Sequence, residues 1–147
     1  MERRRYTIRA INTGGRNGES RLLDGSLSFQ ASMPKEMGGT GEGVNPEQLL
    51  ALGWSACYHS ALERHKKDAG VDAPSKVAVE IGLNTDPEIG GFKLSAIIEV
   101  DIEGVNRETV QALADKAHGD CAYSKATRNN IDVQVQVTEP HFIEDVQ

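Results

Sequence analysis

The sequence lacks an excess of positive charge and contains no long hydrophobic run. Its 147 residues carry a formal net charge of −6, so the basic footprint of a nucleic-acid-binding protein is missing. The only basic run, Arg3, Arg4 and Arg5, is interpreted as the solvated start of a strand. No apolar run approaches the ~20 residues of a membrane-spanning helix, and residues 6–12 alternate rather than forming the apolar core of a signal peptide. We therefore expect a soluble protein of the cytoplasm.

Cysteine is also scarce, with only Cys57 and Cys121 in the chain. Two cysteines in a cytoplasmic protein seldom form a structural disulfide, so they are either two unrelated buried thiols or a redox pair, and their number does not decide between these. The four histidines do not fall at zinc-ligand spacing with them, so no metal site is predicted. His59 lies two residues from Cys57 and would face another side of a helix, which disfavours a Cys–His dyad.

The periodicity of apolar residues predicts one domain, residues 1–147, of the α+β class. Its expected architecture is a set of antiparallel sheets around a long central helix. The predicted elements, in chain order, are N-terminal strands within 5–33, a central helix over 46–69, a hairpin over 76–103, a helix over 107–118 that Gly119 ends, and a C-terminal strand over 131–138.

The central helix has clear start and stop signals. Asn45 can cap it, Pro46 suits the first helical position, and Gln48 can return the capping hydrogen bond. Gly70 suits the left-handed residue that terminates a helix. Between these signals the helix is apolar on most faces, more than one small sheet can cover. We therefore expect a second subunit to cover the remainder, which makes the protein a homodimer.

Cys57, in the middle of this helix, has two interpretations. It is either a small hydrophobic residue that fills the core or a reactive thiol. Since burial disfavours a thiolate, a reactive thiol needs a cation nearby, and residues 45–63 contain no lysine or arginine. Arg16, in a glycine-rich loop, is a candidate that Glu47 or Glu36 could hold in place. The alternative for Arg16 is an exposed turn residue.

Cys121 follows the end of the second predicted helix and lies beside a turn, so we expect it to be less buried than Cys57. The 64 residues between the two cysteines exclude a C-x-x-C motif and leave open whether they meet in the fold. Glu47 and Cys57 lie ten residues apart on one helix, hence ~15 Å along its axis. We therefore hypothesise that the partner subunit supplies Arg16 and Glu47 to Cys57.

The segments "NPEQLLALGWSAC" and "CAYSKATRNNIDV", preceded by "GGRNG", resemble the organic hydroperoxide resistance proteins of the Ohr/OsmC superfamily, and the Ohr branch in particular. The resemblance covers nearly the whole chain. It implies an OsmC/Ohr-like fold, an intertwined homodimer and a lipoyl-dependent peroxidase that reduces organic hydroperoxides to alcohols. It implies no bound cofactor, with dihydrolipoyl groups of lipoylated proteins acting as external reductant.

The resemblance also implies roles for individual residues. Cys57 corresponds to the cysteine that attacks the peroxide, and Cys121 to the one that resolves the sulfenic acid as an intramolecular disulfide. Arg16 and Glu47 correspond to the network around the thiolate. The family usually has proline after the second cysteine, whereas this chain has Ala122, a departure expected to loosen the segment that holds Cys121.

Apolar walls around the thiol would select alkyl hydroperoxides over hydrogen peroxide, because each buried methylene contributes ~0.8 kcal/mol. The residues expected to form these walls are Leu49, Leu50, Trp54 and Phe92. Two alternatives remain open. One is a peroxidase of the OsmC branch with another substrate preference, and the other is a non-catalytic binding dimer with buried cysteines.

Overall fold

The computed structural model describes residues 1–137, so residue 138 of the predicted last strand lies outside the described part. The chain divides into two compact units, Met1–Leu49 and Leu50–Gln147. Each unit contains one three-stranded sheet, and a 23-residue helix is the longest element, so the predicted α+β class is confirmed. The single domain over residues 1–147 stays a prediction.

The sheet of the first unit is antiparallel throughout. Its strands are β1 (Ala10–Thr13), β2 (Glu19–Leu22) and β3 (Ser28–Gln30). They occupy less of residues 5–33 than predicted, and Tyr6 remains 77% exposed. The reason is the register. Ala10 pairs with Leu22, the last residue of β2, so the alternating residues before Ala10 extend past the end of the partner strand.

Helix α1 (Pro46–Asp68) starts at the predicted residue and ends close to the predicted one. The backbone N–H of Gln48 donates to the Asn45 side chain at 2.8 Å, and the N–H of Asn45 donates to the Gln48 side chain at 2.8 Å. Two otherwise unpaired amides are thereby satisfied, which is the capping box. Gly70 has a φ of 70°, as a helix terminator requires. The predicted end at residue 69 is one residue too late.

Part of the apolar surface of α1 is not covered within the described chain. Leu52 is 65% exposed and Leu49 37% exposed, and Ala56 is also exposed. These residues recur at spacings of three and four, so they lie along one side of the helix. An exposed apolar stripe on a helix is the feature from which the sequence predicted a second subunit.

The second unit packs two shorter helices on its sheet. The elements after α1 are β4 (Ser75–Thr85), β5 (Phe92–Ile102), α2 (Arg107–Asp120), α3 (Ala122–Thr127) and β6 (Asp132–Val137). Strands β4 and β5 form the predicted antiparallel hairpin. Strand β6, in contrast, runs parallel to β5, from Ser95 opposite Asp132 to Val100 opposite Val137. The expectation of purely antiparallel pairing was therefore wrong here, because α2 and α3 return the chain to the end where β5 began.

Helix α2 continues past the predicted stop at residue 118. Gly119 lies within it, and the N–H of Cys121 still donates to Ala117 O at 2.9 Å. The helix ends because Cys121 itself adopts an extended conformation, with φ −60° and ψ 126°. The core of the unit brings α1 and α2 onto the inner face of β5. Its central residues are Trp54, Tyr58, Leu62, Ile98, Val100, Leu113 and Ala117.

Candidate active site

A tight turn between β1 and β2 presents Arg16. The turn is a single 3₁₀ turn over Gly15–Asn17, and Gly14 before it has a φ of 90°. The Asn12 side chain braces the turn, accepting from Gly15 N at 2.8 Å and donating to Gly15 O at 3.1 Å. A Cβ at Gly18 would lie 1.7 Å from the carbonyl oxygen of Thr13, so only glycine fits where the chain re-enters the sheet.

Arg16 forms a two-pronged ion pair with Glu47. Its Nη1 donates to Oε2 at 2.9 Å and its Nη2 to Oε1 at 2.8 Å. Of the two carboxylates that the sequence left open, Glu47 is therefore the partner, and Glu36 lies on a separate 3₁₀ turn, Lys35–Met37. The hydrogen bonds from Arg16 lower the pKa of Glu47, and Glu47 in turn raises the pKa of Arg16. The guanidinium is thus fixed in orientation and fully charged.

The second unit brings the two cysteines together. Both thiols are free, and the S–H of Cys121 donates to Cys57 Sγ across 3.5 Å. The expectation that Cys121 is less buried than Cys57 was wrong, since Cys121 is 1% exposed whereas Cys57 is partly exposed. The extended residue between α2 and α3 explains the difference, because it turns its side chain into the core rather than outward.

Cys121 is held from both sides along the backbone. Its N–H donates to Ala117 O, and its carbonyl accepts from Lys125 N at 2.9 Å. Burial raises the pKa of the Cys121 thiol, and the backbone N–H and hydroxyl of Ser124 act in the opposite direction. Asp120, the preceding residue, accepts from His65 at 2.7 Å and Arg64 at 3.3 Å on α1. The junction that carries Cys121 is therefore tied to the helix that carries Cys57.

Two buried aromatic residues of α1 belong to the core cluster that contains Cys121 and against which Cys57 packs. Trp54 and Tyr58 are both fully buried. The Trp54 indole donates to Ser124 Oγ at 3.2 Å, and the Tyr58 hydroxyl donates to Ala114 O at 2.6 Å. Burial raises the pKa of Tyr58, so its hydroxyl stays neutral and acts as a donor. Both aromatic side chains thereby have their polar atoms satisfied within the core.

The four residues expected to form apolar walls differ in environment. Trp54 belongs to the core, and Leu50 packs against that core while remaining partly buried. Phe92, the first residue of β5, is 57% exposed. Leu49 belongs to the exposed stripe of α1. The assignment of these residues to a substrate pocket stays a prediction.

His59 does not form a dyad with Cys57. Its Nε2 lies 2.8 Å from Ser75 Oγ and 3.4 Å from Glu63 Oε1. The buried ammonium group of Lys66 joins this cluster, donating to Glu63 at 2.6 Å and to Ser75 at 3.0 Å. Within residues 1–137, no group of three or more His, Cys, Asp and Glu side chains is arranged to hold a metal ion.

Two residues of the second unit, Ser124 and Gly53, were not predicted from the sequence as part of the site. Ser124 faces Trp54, and its position three residues after Cys121 in a helical turn was the available signal. Gly53 is the second, because a Cβ there would lie 2.7 Å from the Tyr123 hydroxyl. A glycine in a helix interior costs ~1 kcal/mol relative to alanine, so its presence signals a close approach of this kind.

The geometry of the cysteines permits one reaction directly. A disulfide has an S–S length of ~2.0 Å, so the two sulfurs need to approach by only ~1.5 Å to become bonded. Oxidation of the pair is therefore possible without a change of fold.

No helix in the described residues is long and apolar enough to cross a bilayer.

The fold and the sulfur pair define a dithiol protein of the α+β class. A family model described as OsmC-like protein matches residues 39–136. An organic hydroperoxide resistance protein-like 2 of Staphylococcus epidermidis is 42% identical over 135 residues, which cover 90% of this chain and 95% of the relative. An organic hydroperoxide resistance protein of Xanthomonas axonopodis pv. citri is 38% identical over 129 residues, which cover 87% of this chain and 91% of the relative.

The fold comparison agrees with the sequence comparison. The crystal structure of the organic hydroperoxide resistance protein OhrB of Bacillus subtilis has a TM-score of 0.82 at 38% identity, covering 90% of this chain and 98% of that one. The chain belongs to the OsmC-like family, and the resemblance to the organic hydroperoxide resistance proteins is confirmed.

Proposed function

We propose that this protein is a thiol peroxidase that reduces organic hydroperoxides to alcohols. The observation that carries the proposal is the pair of free sulfurs, Cys57 and Cys121, 3.5 Å apart at the edge of an apolar core. The names of the Staphylococcus and Xanthomonas relatives support the substrate class. The partial exposure of Cys57 against the burial of Cys121 supports the order of events, since the first sulfur must be reached from outside.

The first step is attack on the peroxide by the Cys57 thiolate. The sulfur bonds to the terminal oxygen, the O–O bond breaks, and the other oxygen leaves as alkoxide, which takes a proton to become the alcohol. Cys57 is left as a sulfenic acid. The thiolate is the reactive form, and the neighbouring S–H of Cys121 is placed to donate a hydrogen bond to it.

The second step consumes the sulfenic acid. The sulfur of Cys121, after losing its proton, attacks Cys57 Sγ, the S–O bond breaks, and hydroxide leaves and is protonated to water. A Cys57–Cys121 disulfide results, which protects Cys57 from further oxidation. A dithiol must then supply two electrons and two protons to restore both thiols, and we propose dihydrolipoyl groups of lipoylated proteins as that reductant. A cytoplasmic location fits a cycle that returns to free thiols.

We further propose that the Arg16–Glu47 pair assists the first step from a partner subunit. A guanidinium held in place stabilises a thiolate and the departing alkoxide without reorganising during the reaction. Glu47 lies ten residues before Cys57 on α1, ~15 Å along the axis, which is farther than a paired arginine spans. The exposed stripe that contains Leu52 supports a homodimer that buries this helix.

We propose that the apolar side chains near the thiol set the preference for alkyl hydroperoxides. Exposed Phe92 and Leu49 would contact an alkyl chain, and Leu50 and Trp54 would back this surface from the core. Hydrogen peroxide offers no carbon atoms to bury, so it gains none of the ~0.8 kcal/mol that each methylene contributes.

The test is a thiol count followed by a steady-state assay. A slight excess of tert-butyl hydroperoxide should remove two thiols per chain and yield an intramolecular disulfide without crosslinked chains. With dihydrolipoamide as donor, cumene and fatty-acid hydroperoxides should be consumed faster than hydrogen peroxide. Retention of both thiols would instead indicate a non-catalytic binding dimer. Faster consumption of hydrogen peroxide would indicate the preference of another branch of the family.

A further inference from the structure

We propose that Ser124 and Trp54 are positioning residues for the resolving thiol. In this proposal the Trp54 indole orients the Ser124 hydroxyl, which donates a hydrogen bond to the Cys121 sulfur and so stabilises the thiolate that attacks Cys57. The inference rests on the proposed peroxidase function and concerns its second step, the formation of the disulfide.

Burial limits the hydrogen bonds that Trp54, Ser124 and Cys121 can form, because water does not reach them. Trp54 and Ser124 are both 0% exposed, and Cys121 is 1% exposed. An indole has one N–H and no acceptor, so the contact at 3.2 Å occupies a lone pair of Ser124 Oγ and leaves the hydroxyl proton free to be donated. Ser124 follows Cys121 by three residues in the turn that begins α3, and residues three apart in a helical turn lie on the same side of it.

The resolving thiol needs such a donor. Burial is the largest influence on the Cys121 pKa and raises it, whereas the backbone N–H and the hydroxyl of Ser124 lower it, and Cys57 raises it. The hydroxyl is therefore the side-chain group that opposes desolvation of the thiolate. A donor that itself accepts a hydrogen bond is polarised and donates more strongly, which gives Trp54 its part in the arrangement.

The consequence concerns the second chemical step alone. Formation of the disulfide requires Cys121 as a thiolate, so its rate at a given pH follows the ionised fraction. Loss of the Ser124 hydroxyl should reduce that fraction and slow resolution while leaving the first attack by Cys57 intact. The sulfenic acid would then persist, and excess hydroperoxide would convert it to sulfinic acid.

The experiment follows a single turnover of Ser124→Ala across a range of pH. One equivalent of tert-butyl hydroperoxide is added, the sulfenic acid and disulfide are quantified by mass spectrometry, and both rates are recorded. We expect disulfide formation near neutral pH to slow about tenfold, as for the loss of one hydrogen bond to a charged group, with the rising limb of the profile moved to higher pH. The two proteins should converge at alkaline pH, where Cys121 is ionised in both.

Three further variants separate positioning from packing. Ser124→Thr retains a hydroxyl and should restore most of the rate. Trp54→Phe retains an aromatic ring without the N–H and should produce a smaller shift in the same direction. Ser55→Ala removes a hydroxyl that bonds Leu52 O on the outside of α1, and should match the wild type.

The outcomes distinguish the two proposals. A Ser124→Ala profile that coincides with that of the wild type, or that is lowered equally at every pH, would overturn the positioning role and leave the peroxidase function standing. If the wild-type protein itself forms no Cys57–Cys121 disulfide, the peroxidase function fails. In that case the positioning role is overturned with it.

Discussion

The two units of the chain each hold a pair of side chains, and they do so in opposite ways. Arg16 and Glu47 are joined by charge, and the arginine side chain is 41% exposed. Cys57 and Cys121 lie against an apolar core, and the second sulfur is almost completely buried. The charged pair is fixed by two directional hydrogen bonds, whereas the sulfur pair is fixed by the packing of the helices that carry it.

This difference shows how each pair keeps its geometry. A guanidinium–carboxylate pair keeps its orientation in contact with water because its geometry matches at two points. Two neutral thiols have no comparable attraction, so their separation must be imposed by the fold. We therefore expect substitutions at the charged pair to act on chemistry, and those around the sulfurs to act on both chemistry and stability.

Removal of either sulfur should have the largest effect. Cys57→Ser should reduce hydroperoxide consumption to the rate of a protein-free control, because no thiolate remains to attack. Cys121→Ser should permit one stoichiometric oxidation and then stop, because no disulfide forms for the reductant to open. Consumption of cumene hydroperoxide with dihydrolipoamide measures both. Continued cycling by the Cys57 variant would exclude this residue as the nucleophile.

Replacement of Arg16 by lysine should have the next largest effect on activity. Arg16→Lys keeps the charge and loses the two-pronged contact with Glu47. We expect kcat/KM for cumene hydroperoxide to fall about 10²-fold, as for the loss of one oriented donor to a developing oxyanion. Arg21→Lys on β2 is the matched control. An unchanged kcat/KM in the Arg16 variant would show that the Arg16–Glu47 pair takes no part in the reaction.

The packing that imposes the sulfur geometry can be weakened at Tyr58. Tyr58→Phe removes the hydroxyl that donates to Ala114 O at 2.6 Å in the core. We expect the free energy of unfolding to fall by about 1 kcal/mol in urea denaturation. The same change at Tyr6, which is 77% exposed, should have no measurable effect. Equal stabilities of the two variants would show that the buried hydrogen bond contributes nothing.

The smallest effect concerns the pH dependence of the charged pair. Hydrogen bonds from Arg16 depress the pKa of Glu47, so this carboxylate stabilises the fold above its unfolded pKa and ceases to do so as the pH falls through the folded value. The exposure of Arg16 limits the contribution to below about 1 kcal/mol. In urea unfolding, wild type and Glu47→Gln should therefore differ near pH 7, and the difference should shrink as the pH falls below the unfolded pKa of a glutamate, about 4.3. A difference that does not change with pH would contradict the assignment.

The parts of the fold that local chemistry determines were predictable from the sequence. The capping box of Asn45 and Gln48 and the terminator Gly70 depend on residues within one turn of the helix end. The hairpin β4–β5 follows from strict alternation on both sides of a short turn. For Arg16 the residues left Glu47 and Glu36 open as partners, with an exposed turn residue as the alternative, and the family resemblance implied Glu47, which is the partner that the structure shows.

The remaining features depend on contacts distant in sequence. The parallel pairing of β6 is set by the path of α2 and α3, which alternation alone does not encode. The burial of Cys121 follows from a single extended residue at the end of α2, where Gly119 was the more obvious stop. Ser124 offered one signal, its position three residues after Cys121, and its contact with Trp54 joins two residues 70 apart in the sequence.

Trp54 is the only tryptophan in the chain, and its indole nitrogen lies 3.2 Å from the hydroxyl of Ser124, three residues after Cys121. Indole fluorescence responds to the polarity and hydrogen bonding of its surroundings. In the proposed cycle we therefore expect oxidation of the sulfur pair to change the emission of this one side chain, which a stopped-flow instrument reads without any added dye.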